Sequence, residues 1–384
     1  MYDRARFADA EAFSLTPPTE SADAQAHADS ASGQLTRRGV LAGLGAVGGA
    51  MALGAPGAPG LAPRRAFAQD APAPRGGPIA QPGVFTFDVE SIRVSVIHDG
   101  WFPFQPAHPT IGTNAPAEEV HQALWDNFIP PGEAIGDVHA VVIQTGDRLV
   151  LVDTGCGAAF GPNAGNLLSH LRTFGAEPGD VDTLVLTHLH PDHVGGLFVE
   201  PNTTWLPKAR LVLHEAEHAF WIGEPDFAKS GVPDAMRPAM TQAARGALQF
   251  FEGRTDLANE RFTPIAPGLE LRHIPGHTPG HCGIEISDEK ASAFFVADLI
   301  HCAPVQFAHP DWHIAFDTDP ERAADTRVRV LDEAASGRTL VFGSHLPFPA
   351  LGHVKKTGDE QYDWRPAIWR NDAGGPGGAA YQAG

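Results

Sequence analysis

The run His188-Leu189-His190-Pro191-Asp192-His193 places four candidate metal ligands within six residues. Along an extended segment, residues two apart face the same side, so His188 and His190 project together. Pro191 then turns the chain, which brings Asp192 and His193 into the same space. Imidazole and carboxylate are borderline-to-hard ligands suited to Zn²⁺, Mn²⁺, Co²⁺ or Fe²⁺. Gly195-Gly196 follow and let the backbone pack closely as a helix starts. The bland alternative is a solvated polar loop. With histidine at about one residue in twenty, so dense a run is rare by chance.

Two cations need more donors than one run supplies, and other strand ends offer them. Gly276-His277-Thr278-Pro279-Gly280-His281 follows an apolar strand ending at Ile274. Asp298 follows Phe294-Phe295-Val296, and His345 follows Leu340-Val341-Phe342 in Gly343-Ser344-His345. A single histidine after a strand is more often an ordinary surface or core residue. It is the recurrence at the ends of successive apolar strands that carries the reading. Two cations about 3.5–4 Å apart can share a hydroxide, lower its pKa toward neutrality and polarise a substrate oxygen. That is hydrolytic chemistry, with Asp192 the candidate to pass a proton to the leaving group.

The elements that must position these groups follow from the apolar pattern. Alternation at Phe85, Phe87, Val89, Ile92, Val94 and Val96 predicts strands from Val84 onward. Residues 99–135 break that rhythm, with Trp101, Phe102, Phe104, Trp125, Phe128 and Ile129 among prolines and glycines. They read as a long aromatic loop, either a lid or dimer contact or simple packing over the core. Strands are expected at His139–Gln144, Leu149–Val152, Thr183–Leu186, Val212–His214, Leu269–His273, His281–Ile286 and Ser292–Val296. Thr339–Phe342 is expected as the last, before a short ordered tail. Helices are expected at residues 164–174, Glu215–Trp221, Met236–Phe251 and Pro320–Ala335. Hairpins early and helices between later strands point to a layered α/β protein, two sheets inside helices. No repeat period is visible, which excludes a solenoid.

From the Asp153-Thr154-Gly155 turn through His345, the sequence resembles the metallo-β-lactamase superfamily. Five segments are most similar to its methyl-parathion-hydrolase-like branch of phosphotriesterases and lactone or aryl-ester hydrolases. They are Pro191-Asp192-His193-Val194-Gly195-Gly196-Leu197, Gly276–His281, Asp298-Leu299-Ile300, Val305-Gln306-Phe307 and Ser344-His345-Leu346-x-Phe348-Pro349. The resemblance implies a four-layer αβ/βα sandwich, two mixed sheets flanked by helices, with two divalent ions, zinc foremost, at one edge. It implies His188, His190 and His277 on one ion, Asp192, His193 and His345 on the other, and Asp298 between them. Asp153 would fix a ligand histidine by hydrogen bond, and His281 would be a supporting residue rather than a ligand. His301, Ile314 and Phe316 would face the substrate. Bulky Phe316 and polar His301 resemble lactone-hydrolysing members and should crowd a tetrahedral phosphotriester. The expected activity is therefore lactone or aryl-ester hydrolysis with promiscuous phosphotriester turnover; an organophosphate hydrolase is the alternative. A homodimer is likewise what the resemblance implies. β-Lactamases of this fold lack the bridging carboxylate, and flavodiiron relatives carry Glu where this chain has His190. Glyoxalase II-like thioesterases share the His188–His193 and His277 motifs but act on glutathione conjugates in the cytosol, where export argues against them. A purely structural metal site would be closed and often rich in thiolate, and no cysteine sits in a ligand motif.

Composition narrows the rest. The chain has 384 residues, 43% hydrophobic and 19% charged, enough to bury a large core. A formal net charge of −19 argues against nucleic acid as a partner, because the phosphate backbone repels an acidic surface. Three cysteines (Cys156, Cys282, Cys302) form no disulfide framework in so long a chain. Cys282 and Cys302 could make one bridge, but unpaired buried thiols are the expectation. Residues 1–36 read as a disordered leader, and Arg37-Arg38 before a dilute Gly/Ala/Leu/Val stretch resembles a twin-arginine export signal. Ala66-Phe67-Ala68 has the form of a cleavage site, which would end the leader at residue 68 and leave no stable membrane insertion. Periplasmic or secreted location is then expected. A linker at 69–83, a hydrolase domain at 84–371 and a frayed tail at 372–384 complete the organisation.

Overall fold

The computed structural model describes residues 83–130, 132–199 and 204–368. The export signal, its cleavage site, nearly all of the linker and the tail lie outside the described residues. Two seven-stranded sheets form the centre of the fold. The first runs in order β1 (Val84–Val89), β2 (Ile92–Phe104), β3 (Ala134–Thr145), β4 (Arg148–Val152), β5 (Thr183–Val185), β6 (Arg210–His214) and β7 (Thr255–Ala258). Strands β1 to β4 make an antiparallel meander, after which β5, β6 and β7 each add in parallel. The second sheet runs β8 (Phe262–Ala266), β9 (Leu269–His273), β10 (Cys282–Asp288), β11 (Ala291–Phe295), β12 (Leu340–Phe342), β13 (Leu351–Gly358) and β14 (Gln361–Pro366). All its neighbours are antiparallel except β11 and β12, which the Pro320–Gly337 helix joins as a crossover.

Alternation along the strands sorts the apolar residues into two cores. Val94, Val96, Val141, Ile143, Val150 and Val152 of the first sheet pack with Leu271, Ile284, Ile286, Phe295 and Phe342 of the second. Their neighbours Ala140, Val142, Leu151, Leu184, Leu211 and Leu213 belong instead to the core beneath the Leu167–Phe174, Glu215–Ile222 and Arg237–Phe250 helices. Phe342 ties the sheets together, meeting Phe87 edge-on at 5.5 Å and Phe295 at 5.2 Å. This is the expected layering of two mixed sheets flanked by helices.

Three expectations change. Residues 99–135 are not one loop: β2 continues to Phe104, and Ala117–Asp126 is a helix burying Val120 and Leu124. Its alanine and glutamate content favours that helix, but the prolines around it mask the period. Thr339–Phe342 is not the last strand, since β13 and β14 extend the sheet beyond it. Strands β7 and β8 also went unread. Strands β7, β8 and β14 lie at sheet edges, where a solvated face needs few apolar residues, and Pro264 within β8 is tolerated only there. The three cysteines are buried and unpaired.

Removing the ring that joins the sheets should be costly. Phe342→Ala is expected to destabilise the fold by about 3–5 kcal/mol, as a large buried aromatic leaves a cavity. Urea unfolding checks this, with the midpoint falling and the slope unchanged.

Candidate metal centre

The first donor run leaves β5 through Leu186 and Thr187, and Pro191 occupies the first position of a one-turn helix, Pro191–Val194. Beside it, Asp153 directly follows β4 with φ at 59°, a strained conformation for a residue with a Cβ. Its carboxylate repays the placement. Oδ1 accepts from Thr187 N at 2.8 Å, and Oδ2 accepts from Thr187 Oγ1 and His193 Nδ1, each at 2.8 Å. A Cβ on Gly196 would lie 1.9 Å from the Thr154 carbonyl oxygen, so only glycine lets these segments meet. Asp298 enters from the second sheet just past β11, preceded by Ala297 at φ 46°.

The seven candidate donors converge as two sets, His188, His190 and His277, and Asp192, His193, Asp298 and His345. In the first, His277 Nε2 lies 3.2 Å from His188 Nε2 and 2.9 Å from His190 Nδ1. In the second, Asp298 Oδ1 is 3.2 Å from His193 Nε2, and Asp298 Oδ2 is 3.0 Å from His345 Nε2. Asp192 Oδ2 is 3.4 Å from His193 Nε2 and 3.5 Å from His345 Nε2. Asp298 Oδ2 also reaches the first set, 3.5 Å from His277 Nε2 and 3.8 Å from His188 Nε2. The Asp298 carboxylate therefore stands between the sets.

Outer hydrogen bonds decide which ring nitrogens are bare. His193 donates Nδ1–H to Asp153, His277 donates its Nδ1–H to Asp317 Oδ1 at 2.8 Å, and His345 donates to the Asp137 carbonyl at 2.6 Å. Thr187 Oγ1 spends its proton on Asp153, so it accepts from His188 Nδ1 at 3.1 Å. The Nε2 atoms of His188 and His277 then present lone pairs to each other, an arrangement that a cation between them would stabilise. His193 Nε2 and Asp298 Oδ1 are buried without a hydrogen-bond partner. The donor types, the facing lone pairs and these orphaned atoms fit two metal ions.

The two sets differ in charge. Burial holds the pKa values of His188, His190 and His277 well below the ordinary imidazole value. Burial acts the same way on His193 and His345, but it is outweighed. The carboxylates of Asp298 and Asp192 raise both, with Asp153 adding to the effect on His193. Conversely, burial would raise Asp192 and Asp298, yet the imidazoles around them pull both down. Without metal, the first set therefore favours uncharged rings, whereas the second favours protons on its imidazoles beside ionised carboxylates.

Over these donors lies a narrow, partly open space walled by Phe102, Phe104, Met240, Phe316 and His301. His301 is buried, stacks on His345 at 5.1 Å, and sets Nε2 3.2 Å from Asp298 Oδ2. Ile314 does not line this space; it is a core residue whose backbone bridges to Ile111. His281 touches no donor set in a ligand's manner. It accepts from the Asp298 backbone N–H at 3.1 Å and donates to the Ile274 carbonyl, which holds Asp298 in place.

Sequence reasoning missed the partners behind the donors. Asp317 orients His277 and lies 3.6 Å from the buried Arg327 guanidinium. Glu217, fully buried, contacts both histidine loops. Neither sits in a motif, and each has another acidic residue two positions away, Glu215 and Asp319, so nothing in the local pattern marks it.

Residues 135–345 match the Metallo-beta-lactamase superfamily, more than half of the chain and a span holding every donor above. The chain belongs to that superfamily. The N-acyl homoserine lactonase AiiB of Agrobacterium fabrum is 30% identical over 186 residues, 43% of this chain and 64% of AiiB. The match thus spans a little under two thirds of that relative. An N-acyl homoserine lactonase of a Bacillus species is 23% identical across 57% of this chain and 86% of its own length. Among solved structures, AidC, a dizinc quorum-quenching lactonase, superposes with a TM-score of 0.70 at 28% identity, covering 75% of this chain and 99% of AidC. The hydrolase AbOPH does so with a TM-score of 0.68 at 26% identity, over 75% of this chain and 99% of its own.

The charge difference gives a pH prediction. His193 and His345 are raised above the ordinary 6.5, so protons compete for them as pH falls toward and through that value. The three-histidine set, kept neutral by burial, should hold its ion to lower pH. Metal analysis after dialysis at steps from pH 8 to 5 is expected to show one equivalent leaving before the other. Simultaneous loss would contradict it.

Proposed function

We propose that this chain is an exported lactone and aryl-ester hydrolase working through two divalent ions, zinc first among them. The observation that carries the reading is the shared Asp298 carboxylate between two donor sets at the floor of an aromatic slot. The lactonases among its relatives support the same substrate class. Two such ions, held by these donors, would lower the pKa of water and polarise a carbonyl oxygen.

The chain's own residues supply the rest. Asp298 keeps the two sets at a fixed spacing, and the outer partners Asp153, Asp317 and the Asp137 carbonyl fix the ring orientations of His193, His277 and His345. Asp192 lies at the slot floor and accepts the proton released during attack, then returns it to the leaving alkoxide. Phe102, Phe104 and Phe316 exclude water and press a substrate flat, which suits a planar ester or lactone and crowds a tetrahedral phosphotriester. A second, wider hollow, lined by Trp101, Phe128, Ile135 and Pro304, shares His301 and His345 with the slot. Its apolar walls would accommodate an apolar arm of the substrate. Export rests on the Arg37-Arg38 signal in the sequence, and a dimer on the resemblance alone.

Two measurements test this reading. On a panel of an aryl lactone, an acyl-homoserine lactone, a dialkyl aryl phosphotriester and a β-lactam, kcat/KM should favour lactones by at least about tenfold, or roughly 1.4 kcal/mol of transition-state preference. A phosphotriester preference would leave the metal centre intact and make the chain an organophosphate hydrolase. His301→Leu should raise phosphotriester turnover relative to lactone turnover by exchanging a polar wall for an apolar one, and a shift the other way would sink the argument from its walls.

A further inference from the structure

Glu217 belongs to neither donor set and does not line the slot, yet it is fully buried in the first turn of the Glu215–Ile222 helix. Its Oε1 accepts from Leu189 N at 2.9 Å and from Trp221 Nε1 at 2.6 Å. Its Oε2 accepts from Thr278 Oγ1 and from Gly280 N at 3.1 Å. Leu189 is the residue between His188 and His190, and Thr278 directly follows His277. One carboxylate thus spans both loops that carry the three-histidine set. The approach is close: a Cβ on Gly280 would lie 2.2 Å from Glu217 N.

All four of these donors are neutral, and among the described residues no lysine or arginine pairs with Glu217. Burial pushes its carboxyl above the ordinary range despite the four hydrogen bonds. A buried anion needs a nearby positive charge. On the two-ion reading, the ion held by His188, His190 and His277, whose two loops Glu217 ties, would supply one. We infer that Glu217 is the positioning residue of that set, holding the His188–His190 and His277 loops together and balancing the charge of the ion between them. This rests on the two-ion reading above.

The test reads metal binding rather than lactone turnover. Glu217→Gln keeps the shape but turns an amide N–H₂ toward two donors and removes the charge. In chelator competition, the variant should hold one of its two ions about 10- to 100-fold more weakly and the other nearly as in the wild type. The Co²⁺-loaded protein should show an altered absorption spectrum for one ion only. Thr278→Val, which cuts only one tie to Oε2, should weaken the same equivalent by less, and it carries the test if Glu217→Gln does not fold. Unchanged binding in either folded variant overturns the inference. So does equal weakening of both ions alongside a lowered Tm of the metal-free protein, because that is a structural role alone. A wild-type chain holding fewer than two ions fails differently, taking down the two-ion reading first and this inference with it.

Discussion

The structure turns on one buried anion. Asp298 lies with its carboxylate inside the protein, facing His193, His345, His277 and His188 within 3.0 to 3.8 Å. An ionised carboxylate removed from water is strongly unfavourable unless positive charge surrounds it. Every other feature of the centre can be read as supplying or aiming that charge. Without metal, the raised pKa values of His193 and His345 favour protons there, and two bound cations would take their place. The same site therefore links proton and metal binding, because each serves the same carboxylate.

That requirement sets what the scaffold must do. The donors arrive from two different sheets, His188 to His193 past β5 and Asp298 and His345 past β11 and β12, so the sheets must hold a fixed offset. The core between them, with Phe342 wedged against Phe87 and Phe295, supplies that rigidity. Where the chain bends sharply into the site, at Asp153 and Ala297, it accepts left-handed backbone conformations in residues other than glycine. Such strain persists only where surrounding contacts over-determine it, and Asp153 has three hydrogen bonds doing so.

The donors themselves were legible in the sequence because their chemistry leaves a dense local mark. His188, His190, Asp192 and His193 lie within six residues, and His277, Asp298 and His345 each follow an apolar strand. The layered fold was legible for the same reason, since central strands buried on both faces read as apolar runs. Edge strands β7, β8 and β14 were not, as half of each faces water and a polar sequence serves there. The helix at Ala117–Asp126 was hidden by flanking prolines, and Ile314, expected at the substrate, serves the core instead.

What sequence could not give is the layer behind the donors, for a physical reason. A ligand's identity is fixed by its own atoms, but its orientation is fixed by whatever the fold brings to its other nitrogen. Asp317 reaches His277 across 40 residues, and the partner of His345 is a backbone carbonyl 208 residues away, which has no side-chain signature at all. Glu217 is further removed still, since it orients peptides beside the ligands rather than the ligands themselves. The walls of the slot form a third and separate layer: Phe102, Phe104 and Phe316 come from segments that supply no donors. Exchange of a wall residue changes the shape of what can approach, while the carboxylate below keeps its four histidines. If the slot is where substrate binds, its three phenylalanine walls can be exchanged without touching a donor, whereas His301, 3.2 Å from Asp298 Oδ2, belongs to both layers.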